Sequence, residues 1–418
     1  MSIWATFTNS GEAIQTQSNA LAVISQNISN INTTGYKAVD NHFQTLLSDQ
    51  QDGTNIFSVQ GLQENENDVE GSFQTTNLWD NLAINGPGFF VLNTSLSGTG
   101  NTLYTRAGDF GEAVNSTDVV NGQPATAAGS IAYLTGSDGG YLMGWQAVDG
   151  VANTSNSLTS LTPVGIALGS TIPGKATSAV ALQGSIPSNP TDGVANTAVP
   201  VYDNSFNTQS LQMTFTQTGE NQWSVAYSLP TGVGTVPTGS TTDLTFDGSG
   251  NFVSQTGTAS VPITWADGTT SNVSVDFSKM SQLASGSLIV NAQTQNGYGA
   301  GTLVQGQFDS NGNLYGDYSN GQKVLLYTLP VASFTAPDSL QSTSGTNFTQ
   351  TAAAGSLNLD PATSLNDTSF IPGTVESSNV DLGTEFSQLI QTQTAYNSAT
   401  KIFNVSDQMA QTLRDLVT

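Results

Sequence analysis

Apolar residues near the start of the chain follow a heptad-like pattern. They occupy positions 3, 7, 14, 21, 24, 28 and 31, and Ser10 and Gln17 are the exceptions to alternating steps of three and four. This spacing predicts a helix that lays one narrow stripe against partner helices. Glu12 is the only charged side chain before Lys37. A solitary surface helix carries charges on its wet side, so the pattern indicates a helix covered by other helices.

The last forty residues carry a second pattern of this kind. A heptad spacing relates Leu382, Leu389, Tyr396, Phe403, Ala410 and Val417, and Phe386 and Leu413 widen the stripe. Ser378, Asn379 and Asp381 are candidate N-caps, and Glu385 falls in the first turn, where a carboxylate suits the helix dipole. Both ends of the chain are therefore predicted to be helices.

The region between the predicted helices reads as strands and turns. Alternating apolar residues in "LQMTFTQTG" and "QWSVAYSL" flank the turn "TGEN", which predicts a hairpin. Two further hairpins are predicted, "VPITW" with "SNVSVDF" and "LVQGQFD" with "NLYGDYS". Large apolar residues are rarest at 148–157 and 342–356, where we expect loose connections.

These patterns predict a multidomain α+β fold with nested domains. The N- and C-terminal helices form a coiled-coil-like pair, and mainly antiparallel β domains lie between them. We expect four parts: a terminal helical domain (1–38 and 373–418), a connector (39–75 and 357–372), a β-rich middle domain (76–154 and 286–356) and a β-rich outer insertion (155–285).

The composition narrows the choice of partners and sites. Seven Lys plus Arg against 31 Asp plus Glu give a formal charge of −24, so the field repels nucleic acid and anionic lipid heads. The absence of cysteine excludes disulfides, thiolate nucleophiles and the common structural zinc sites. No apolar run is long enough to span a membrane, and the start lacks the features of a cleaved signal peptide, so we expect neither.

No motif predicts a catalytic, cofactor or metal site. His42 is the sole histidine, and no nucleophile elbow lies near it, so an exposed or hydrogen-bonded histidine is favoured over a triad member. "FDSNGNL" at 308–314 resembles a calcium loop without its closing glutamate, and a hairpin turn explains it better. "INGPGFF" at 84–90 lacks the pattern of a nucleotide-binding loop. The thirty-one carboxylates form many chance pairs, and no spacing selects a glycosidase pair. Trp145, Trp223 and Trp265 lie in strand patterns, where core burial is the default.

Several segments carry a family resemblance. "SNALAVISQNISNINTTGYKA" (18–38) resembles the signature of bacterial flagellar rod and hook proteins. "NLAINGPGFFVL", "LYTRAGDF" and the block at 373–403 resemble other motifs of this family, and the segment 296–340 resembles its hook members in particular. The motif residues are Asn27, Asn30, Thr34, Gly35, Tyr36, Lys37, Ser378, Asn379, Val380 and Asp381. Two departures are Ser29, where alanine is common, and the run Gln393 to Tyr396, which lacks the usual arginine.

The resemblance implies a structural role. It implies a hook subunit that polymerises into a curved helical tube, with paired terminal helices inside and β domains outside, and that acts as a flexible universal joint. The polymerisation interface is then predicted to comprise Ile14, Leu21, Ile24, Ile28, Ile31, Leu382, Phe386, Leu389, Tyr396, Phe403 and Leu413. The implied partners are further copies, the distal rod protein, the hook cap, the hook-filament junction proteins and the flagellar export apparatus, without nucleic acid or membrane insertion.

The implied location is the hook of the basal body, outside the cell, reached by flagellar export without a cleaved signal peptide. Two other readings remain open from the sequence. One is a distal rod or other axial component, which would form a straight polymer of limited length. The other is an extracellular β-rich binding protein or glycoside-active enzyme, which would be a monomer with a concave site.

Overall fold

The computed structural model describes residues 3–51, 54–114, 119–120, 123–124, 131–148, 150–189, 193–284, 286–344 and 346–417. The chain divides into two compact units. Unit 1 comprises Met1–Leu168, Gln305–Asp317 and Lys323–Thr418, and unit 2 comprises Gly169–Val304 and Tyr318–Gln322. The coarse prediction of a mainly β chain with a helix near each end is confirmed. The four-part division stays a prediction.

Unit 1 contains both long helices. Helix α1 spans Ile3–Ser29 and helix α2 spans Leu382–Val417. Among the described residues of its loops are three single-turn 3₁₀ helices, at Leu158–Ser160, Pro337–Ser339 and Ala362–Ser364. Its first two strands form a long antiparallel hairpin of β1 (Val39–Gln51) and β2 (Thr54–Asn65).

The remaining strands of unit 1 are short. They are Phe73–Thr75, Leu82–Asn85, Phe90–Asn93, Thr102–Thr105, Gly111–Val114, Val119–Val120, Gln123–Pro124, Ile131–Thr135, Tyr141–Val148, Val151–Ala152, Thr162–Pro163, Gly165–Ala167, Lys323–Thr328, Pro330–Ser333, Gln341–Ser344, Asn347–Thr349, Asn358–Pro361, Ser369–Pro372 and Thr374–Glu376. Strands Gly301–Phe308 and Asn313–Tyr318 contain residues of both units.

The largest sheet of unit 1 joins strands from both halves of the chain. Tyr141–Val148, Phe90–Asn93, Thr102–Thr105, Asn347–Thr349 and Gln341–Ser344 lie side by side in this order. One face packs a core that includes the aromatic residues Phe89, Tyr104, Trp145 and Phe348. Burial of these rings in a common cluster stabilises this sheet.

Unit 1 also contains three further two-stranded pairings, two of which join segments that are far apart in sequence. Phe73–Thr75 pairs with Thr374–Glu376, and Leu82–Asn85 pairs with Ser369–Pro372. Pro330–Ser333 pairs with Asn358–Pro361. The first two pairings bind the segment that follows the β1–β2 hairpin to the segment that precedes α2.

Unit 2 is formed by two five-stranded sheets. The first has the order Gly234–Thr235, Val261–Trp265, Thr270–Leu283, Ala179–Pro187, Ile289–Gln295, and the second has the order Val194–Tyr202, Thr208–Gly219, Gln222–Ser228, Thr241–Phe246, Phe252–Gly257. A short strand at Thr171–Ile172 also belongs to this unit. Alternate residues of both sheets enter one apolar core, and Phe215 of the second sheet lies edge-on to Phe277 of the first at 5.8 Å.

The structure confirms most of the local predictions in the β region. Thr208–Gly219 pairs with Gln222–Ser228, and Val261–Trp265 pairs with Thr270–Leu283. Trp145, Trp223 and Trp265 are core residues, each at most 4% exposed.

The prediction of a loose connection at 342–356 was wrong for its first half, whereas residues 350–356 contain no helix or strand. Gln341–Ser344 and Asn347–Thr349 form a hairpin at the edge of the main sheet, and Phe348 is buried. Backbone pairing rather than apolar content orders this segment, so its polar composition was misleading. The other predicted connection, 148–157, is largely exposed, and residue 149 lies outside the described residues.

Candidate assembly surface

The two terminal helices lie side by side and run in opposite directions. Near the start of α1, the ring of Phe7 lies 4.4 Å from the ring of Phe403. Near its end, Asn27 Nδ2 donates to Glu385 Oε1 at 2.8 Å. Because residue numbers rise along one helix while they fall along the other, the helices are antiparallel. The two ends of the chain therefore meet along most of α1.

The residues predicted to form the polymerisation interface differ in burial. Ile24 is buried, whereas Leu382, Phe386 and Leu413 are 39%, 51% and 50% exposed. The half-buried members are Ile14, Leu21, Ile28, Ile31, Leu389, Tyr396 and Phe403. The side chains at the predicted positions 3 and 417 lie outside the described residues. In the single chain this set is not one buried stripe.

Small and polar side chains occupy the most buried positions of α2. Glu385, Thr392, Ala399 and Ser406 are buried and share one heptad position. Glu385 was predicted only as a first-turn carboxylate, and Thr392, Ala399 and Ser406 were not predicted at all, because the heptad pattern was drawn from large apolar residues. The signal that would have found them is the seven-residue spacing of small side chains next to Leu389, Tyr396 and Phe403.

Several hydroxyl groups of α2 bond to the backbone of their own helix. Thr394 Oγ1 donates to the carbonyl of Ile390 at 2.8 Å, and Ser398 Oγ donates to that of Thr394 at 2.8 Å. The buried Ser406 Oγ donates to the carbonyl of Ile402 at 2.9 Å. These hydroxyl donors are satisfied without water, so burial of this helix surface leaves fewer unpaired groups.

The β1–β2 hairpin packs along α1 as well. Thr16 Oγ1 donates to the carbonyl of Val59 at 3.0 Å. Asn27 Nδ2 donates to the carbonyl of Val39 at 2.9 Å, and the Val39 N–H donates to Asn27 Oδ1 at 3.1 Å. Helix α1 therefore contacts both α2 and the hairpin.

A buried polar cluster joins the end of α1 to the start of α2. We call it the terminal clasp and define it as Asn27, Tyr36, Lys37, Glu376, Asn379 and Glu385. Tyr36 Oη donates to Asn27 Oδ1 at 3.1 Å, so Asn27 bonds to Tyr36, Val39 and Glu385 at once. A side chain amide with two donors and two acceptor sites is suited to this position.

Lys37 and Glu376 form a fully buried ion pair within the terminal clasp. Lys37 Nζ lies 2.7 Å from Glu376 Oε1, and Nζ also donates to the carbonyl of Val69. The Gly71 N–H donates to the same Oε1 at 2.8 Å. Arg106 Nη1 lies 3.6 Å from Glu376 Oε2. Since buried charges are tolerated only when paired, this cluster requires both chain segments to be in place.

Asn379 and Asp381 hold the segment that enters α2. Asn379 Oδ1 accepts from the Ala38 N–H at 2.7 Å, and its Nδ2 donates to the carbonyl of Glu66 at 3.1 Å. Asp381 Oδ1 accepts from the Thr384 N–H at 2.8 Å, which makes Asp381 the N-cap of α2. Of the three predicted caps, Asn379 instead bonds across to Ala38.

Gly35 lies in the turn after α1, at a position where no other residue fits. Its φ is +66°, and a Cβ at this position would lie 2.3 Å from the backbone nitrogen of Ala107. The Gly35 N–H donates to the carbonyl of Glu376 at 2.7 Å. The turn therefore brings the chain to Glu376 with a backbone approach that only glycine allows.

The other motif residues have local roles. Asn30 Nδ2 donates to the carbonyl of Gln26 at 2.9 Å, and Ser378 Oγ accepts from the Val380 N–H at 3.3 Å. Val380 packs with Tyr36 in a small apolar cluster. Thr34 is half-buried. The structure thus brings the two ends of the motif together, although no sequence pattern indicates which of its side chains bond to one another.

Burial shifts the ionisation of the terminal clasp. It raises the pKa of Glu385 above its ordinary range, and it raises the pKa of Tyr36 to about 12. It lowers the pKa of Lys37, although the Glu376 carboxylate opposes this shift. Removing these groups from water disfavours their charged forms, which is the common cause.

The motifs discounted from the sequence have structural roles. His42 is exposed on β1, with Nε2 at 3.4 Å from Glu64 Oε2. Asp309 Oδ1 accepts from the N–H groups of Asn311 and Asn313 in a tight turn. Among the described residues, no three His, Asp or Glu side chains are grouped so as to hold a metal ion, and neither α1 nor α2 is long and apolar enough to cross a membrane.

Comparison with known proteins decides the family. Three family descriptions match in chain order: "Flagella basal body rod protein" at residues 7–37, "Flagellar basal body protein FlaE D2 domain" at 171–298 and "Flagellar basal body rod FlgEFG protein C-terminal" at 371–416. The chain is 30% identical over 403 residues to the flagellar hook protein FlgE of Salmonella typhimurium, with 95% of this chain and 96% of the relative covered. The chain belongs to the flagellar hook protein family.

Further relatives of the hook protein family agree. The flagellar hook protein FlgE of Rhizobium meliloti is 28% identical over 432 residues, with 100% of both chains covered. The crystal structure of the Helicobacter pylori flagellar hook protein FlgE2 shares the fold, with a TM-score of 0.50 and 13% identity over 71% of this chain and 98% of that chain. The chain is thus a structural flagellar hook protein and not an enzyme.

Proposed function

We propose that the chain polymerises into a curved helical tube that acts as a flexible universal joint and transmits motor torque from rod to filament. The observation that carries this proposal is the incomplete burial of α2. Its apolar residues Phe386, Ile390 and Met409 are more than half exposed although α2 already packs on α1. An exposed apolar surface on a paired helix is typical of a subunit whose copies cover it.

The terminal helices form the inner wall of this tube as a coiled-coil-like pair. The predicted interface residues that are half-buried in the single chain, such as Leu21 and Leu389, become fully buried between copies. Each Leu, Ile or Phe so covered contributes about 1.5 to 3 kcal/mol when burial is complete. A contact between unlike surfaces repeats without closing and so generates a filament.

The four predicted domains give the tube its layers. The terminal helical domain lines the channel, the connector follows it outward, and the middle and outer β domains form the outer layers. Small polar surfaces on the outer domains make contacts of low energy, which suits contacts that break and re-form during rotation. Bending then comes from sliding between outer domains while the inner helices keep the tube continuous.

The termini become fully ordered on assembly. Helices rich in Asn, Ser and Thr form weakly in isolation, since these side chains compete for the backbone. Circular dichroism of the monomer and the polymer is therefore expected to differ in helix content, and equal helix content contradicts this step.

We further propose that the protein lies in the hook outside the cell and reaches it by flagellar export. Its partners there are further copies, the distal rod protein, the hook cap, the hook-filament junction proteins and the export apparatus. The formal charge of −24 makes like copies repel one another. Added salt screens this repulsion, so polymerisation rises with salt, and light scattering that falls as salt rises contradicts the proposal.

Electron microscopy after salting out tests the proposal. Curved tubes are expected from the unmodified chain. Two of the three matching families are named for rod proteins, which favours a distal rod component as the second candidate, and straight polymers of limited length identify that candidate. Stable monomers reject both.

A matched pair of variants tests the helical interface. Leu389→Asp is expected to abolish tubes while the β units stay folded, because it places a charge in the predicted interface. Asn397→Asp puts the same charge on an exposed position of α2 and should leave tubes intact. Tubes from Leu389→Asp that equal those of the control refute the assignment.

A further inference from the structure

Helix α2 carries two separate groups of exposed apolar side chains. The upper patch is Leu382, Phe386 and Ile390, and the lower patch is Ile402, Val405, Met409 and Leu413. Each of these side chains is between 39% and 64% exposed. A surface helix in water does not normally carry seven large apolar side chains off its buried face.

The two patches lie on opposite flanks of the face that is buried in the single chain. With Leu382 as zero and about 100° per residue, the upper patch spans roughly 0° to 80° and the lower patch roughly 140° to 220°. The buried positions Glu385, Thr392, Ala399 and Ser406 fall between about 240° and 300°. A single neighbouring helix therefore does not reach both patches.

Outside its apolar patch, each flank of α2 carries polar side chains. The upper flank continues toward the chain end with Gln393, Asn397 and Asn404, all exposed. The lower flank continues toward the start of α2 with Thr384 and Ser387, also exposed. Phe386 and Val405 are 19 residues apart, or about 28 Å along the axis. The apolar surface is thus two discrete areas and not one stripe.

The lower patch also reaches the part of α2 that extends beyond α1. Phe403 lies beside Phe7, and α1 begins at Ile3. Every residue from 407 to 415 is exposed. Met409 and Leu413 therefore lie on turns of α2 that α1 is too short to cover.

We propose that the two patches dock on two different copies of this chain. This inference rests on the proposed function and adds which part of α2 meets which neighbour. A second copy is the fitting occupant because the family assembles as a polymer, because neither patch contains a charge, and because both patches border the contact between α1 and α2. Each patch docks on a surface of its neighbour other than the same patch, so each contact is heterologous and assembly continues at both ends.

Charge substitutions in each patch test this assignment. Phe386→Glu disrupts the upper patch and Met409→Glu the lower, while Asn397→Glu and Ser387→Glu place the same charge on the polar part of each flank. Sedimentation after salting out gives the critical concentration for tubes. Each patch variant is expected to raise it at least about tenfold, because a charge in an apolar contact costs more than about 1.4 kcal/mol, and the controls should change it less than about twofold.

The double variant separates two interfaces from one. Each single variant keeps one patch and is expected to form short oligomers in analytical ultracentrifugation, whereas Phe386→Glu with Met409→Glu stays monomeric. Circular dichroism and thermal unfolding establish that every variant is folded. If each single variant is as monomeric as the double variant, both patches belong to one contact and the proposal is overturned.

Two outcomes distinguish this proposal from the one on which it rests. An unmodified chain that stays monomeric overturns the proposed function and this assignment with it. Tubes from the unmodified chain together with tubes from both patch variants at control concentrations overturn the patch assignment alone.

Discussion

Neutralising Glu376 is expected to open the terminal clasp. Its side chain is fully buried, and it faces Lys37 at 2.7 Å and Arg106 at 3.6 Å. Glu376→Gln keeps the size of the side chain but removes the charge that pairs with the buried Lys37 and Arg106. The carboxylate that remains near Arg106 is that of Glu70, which is one-third exposed. Breaking a buried pair by removing one partner costs about 3 to 5 kcal/mol, because the remaining charge stays buried.

Hydrogen exchange of the Gly35 N–H measures this cost locally. This group donates to the carbonyl of Glu376, so its exchange reports opening of the clasp. At about 1.4 kcal/mol per factor of ten, the variant should lose roughly two to three and a half orders of magnitude of protection. Urea unfolding of the whole chain gives a second measurement of the same change.

A double-mutant cycle and an exposed control complete the test. Lys37→Met combined with Glu376→Gln should cost less than the sum of the single changes, by about 0.5 to 3 kcal/mol, since the two side chains share one interaction. Lys323→Met removes an exposed pair with Asp317 and should cost about 0 to 1 kcal/mol. A Glu376→Gln effect as small as that of Lys323→Met, or strict additivity in the cycle, refutes the reasoning.

Three further changes test the residues around the clasp. Gly35→Ala should lower the urea midpoint, because the added Cβ would lie 2.3 Å from the Ala107 nitrogen and φ is positive. Asp381→Ala should reduce the helical circular dichroism signal of the chain, because it removes the N-cap of α2. The hydrogen bond from the Thr384 N–H lowers the pKa of Asp381. The cap therefore stabilises α2 above the ordinary pKa of 3.8, and this stabilisation is lost as pH falls through the lowered pKa. Burial raises the pKa of Glu385 above its ordinary value of 4.5. The contribution of this group to stability is therefore complete below pH 4.5 and is lost as pH rises through the raised pKa. Glu385→Gln should flatten this pH dependence of thermal unfolding.

Each of these changes has a control within the chain. Gly139→Ala also places alanine at positive φ but in open space, so equal effects of the two glycine changes would contradict the steric reason. Asp407→Ala removes an exposed carboxylate from the last third of α2, and it should leave the pH profile of helix content unchanged. Glu64→Gln removes an exposed carboxylate on β2 and is the control for Glu385→Gln. If it flattens the pH dependence of thermal unfolding as much as Glu385→Gln does, burial is rejected as the cause.

The elements that could be predicted from the sequence are those whose signals come from residues close together along the chain. The hairpin around "TGEN" was predictable because alternation and turn residues are local signals, and the buried Trp223 follows from that alternation. The helices were predictable for the same reason. The hairpin at 341–349 was missed because its pairing with Thr102–Thr105 lies more than two hundred residues away.

The terminal clasp was predictable only in part. The resemblance singled out Asn27, Lys37 and Asn379, but no periodicity indicates that Lys37 meets Glu376, which is 339 residues away. Arg106 likewise reaches the cluster only through tertiary packing. Contacts of this length follow from the whole fold, and local propensity contains no information about them.

The pairing of Phe73–Thr75 with Thr374–Glu376 imposes an order of events on a newly made chain. Unit 2 forms from one continuous stretch and five further residues, so most of its strands find partners early. In unit 1, Phe73–Thr75 and Leu82–Asn85 lack their partner strands until the last fifty residues have been synthesised. Folding of the whole molecule is therefore completed from its tail, and a chain interrupted before Ser369 keeps a complete unit 2 and an incomplete unit 1.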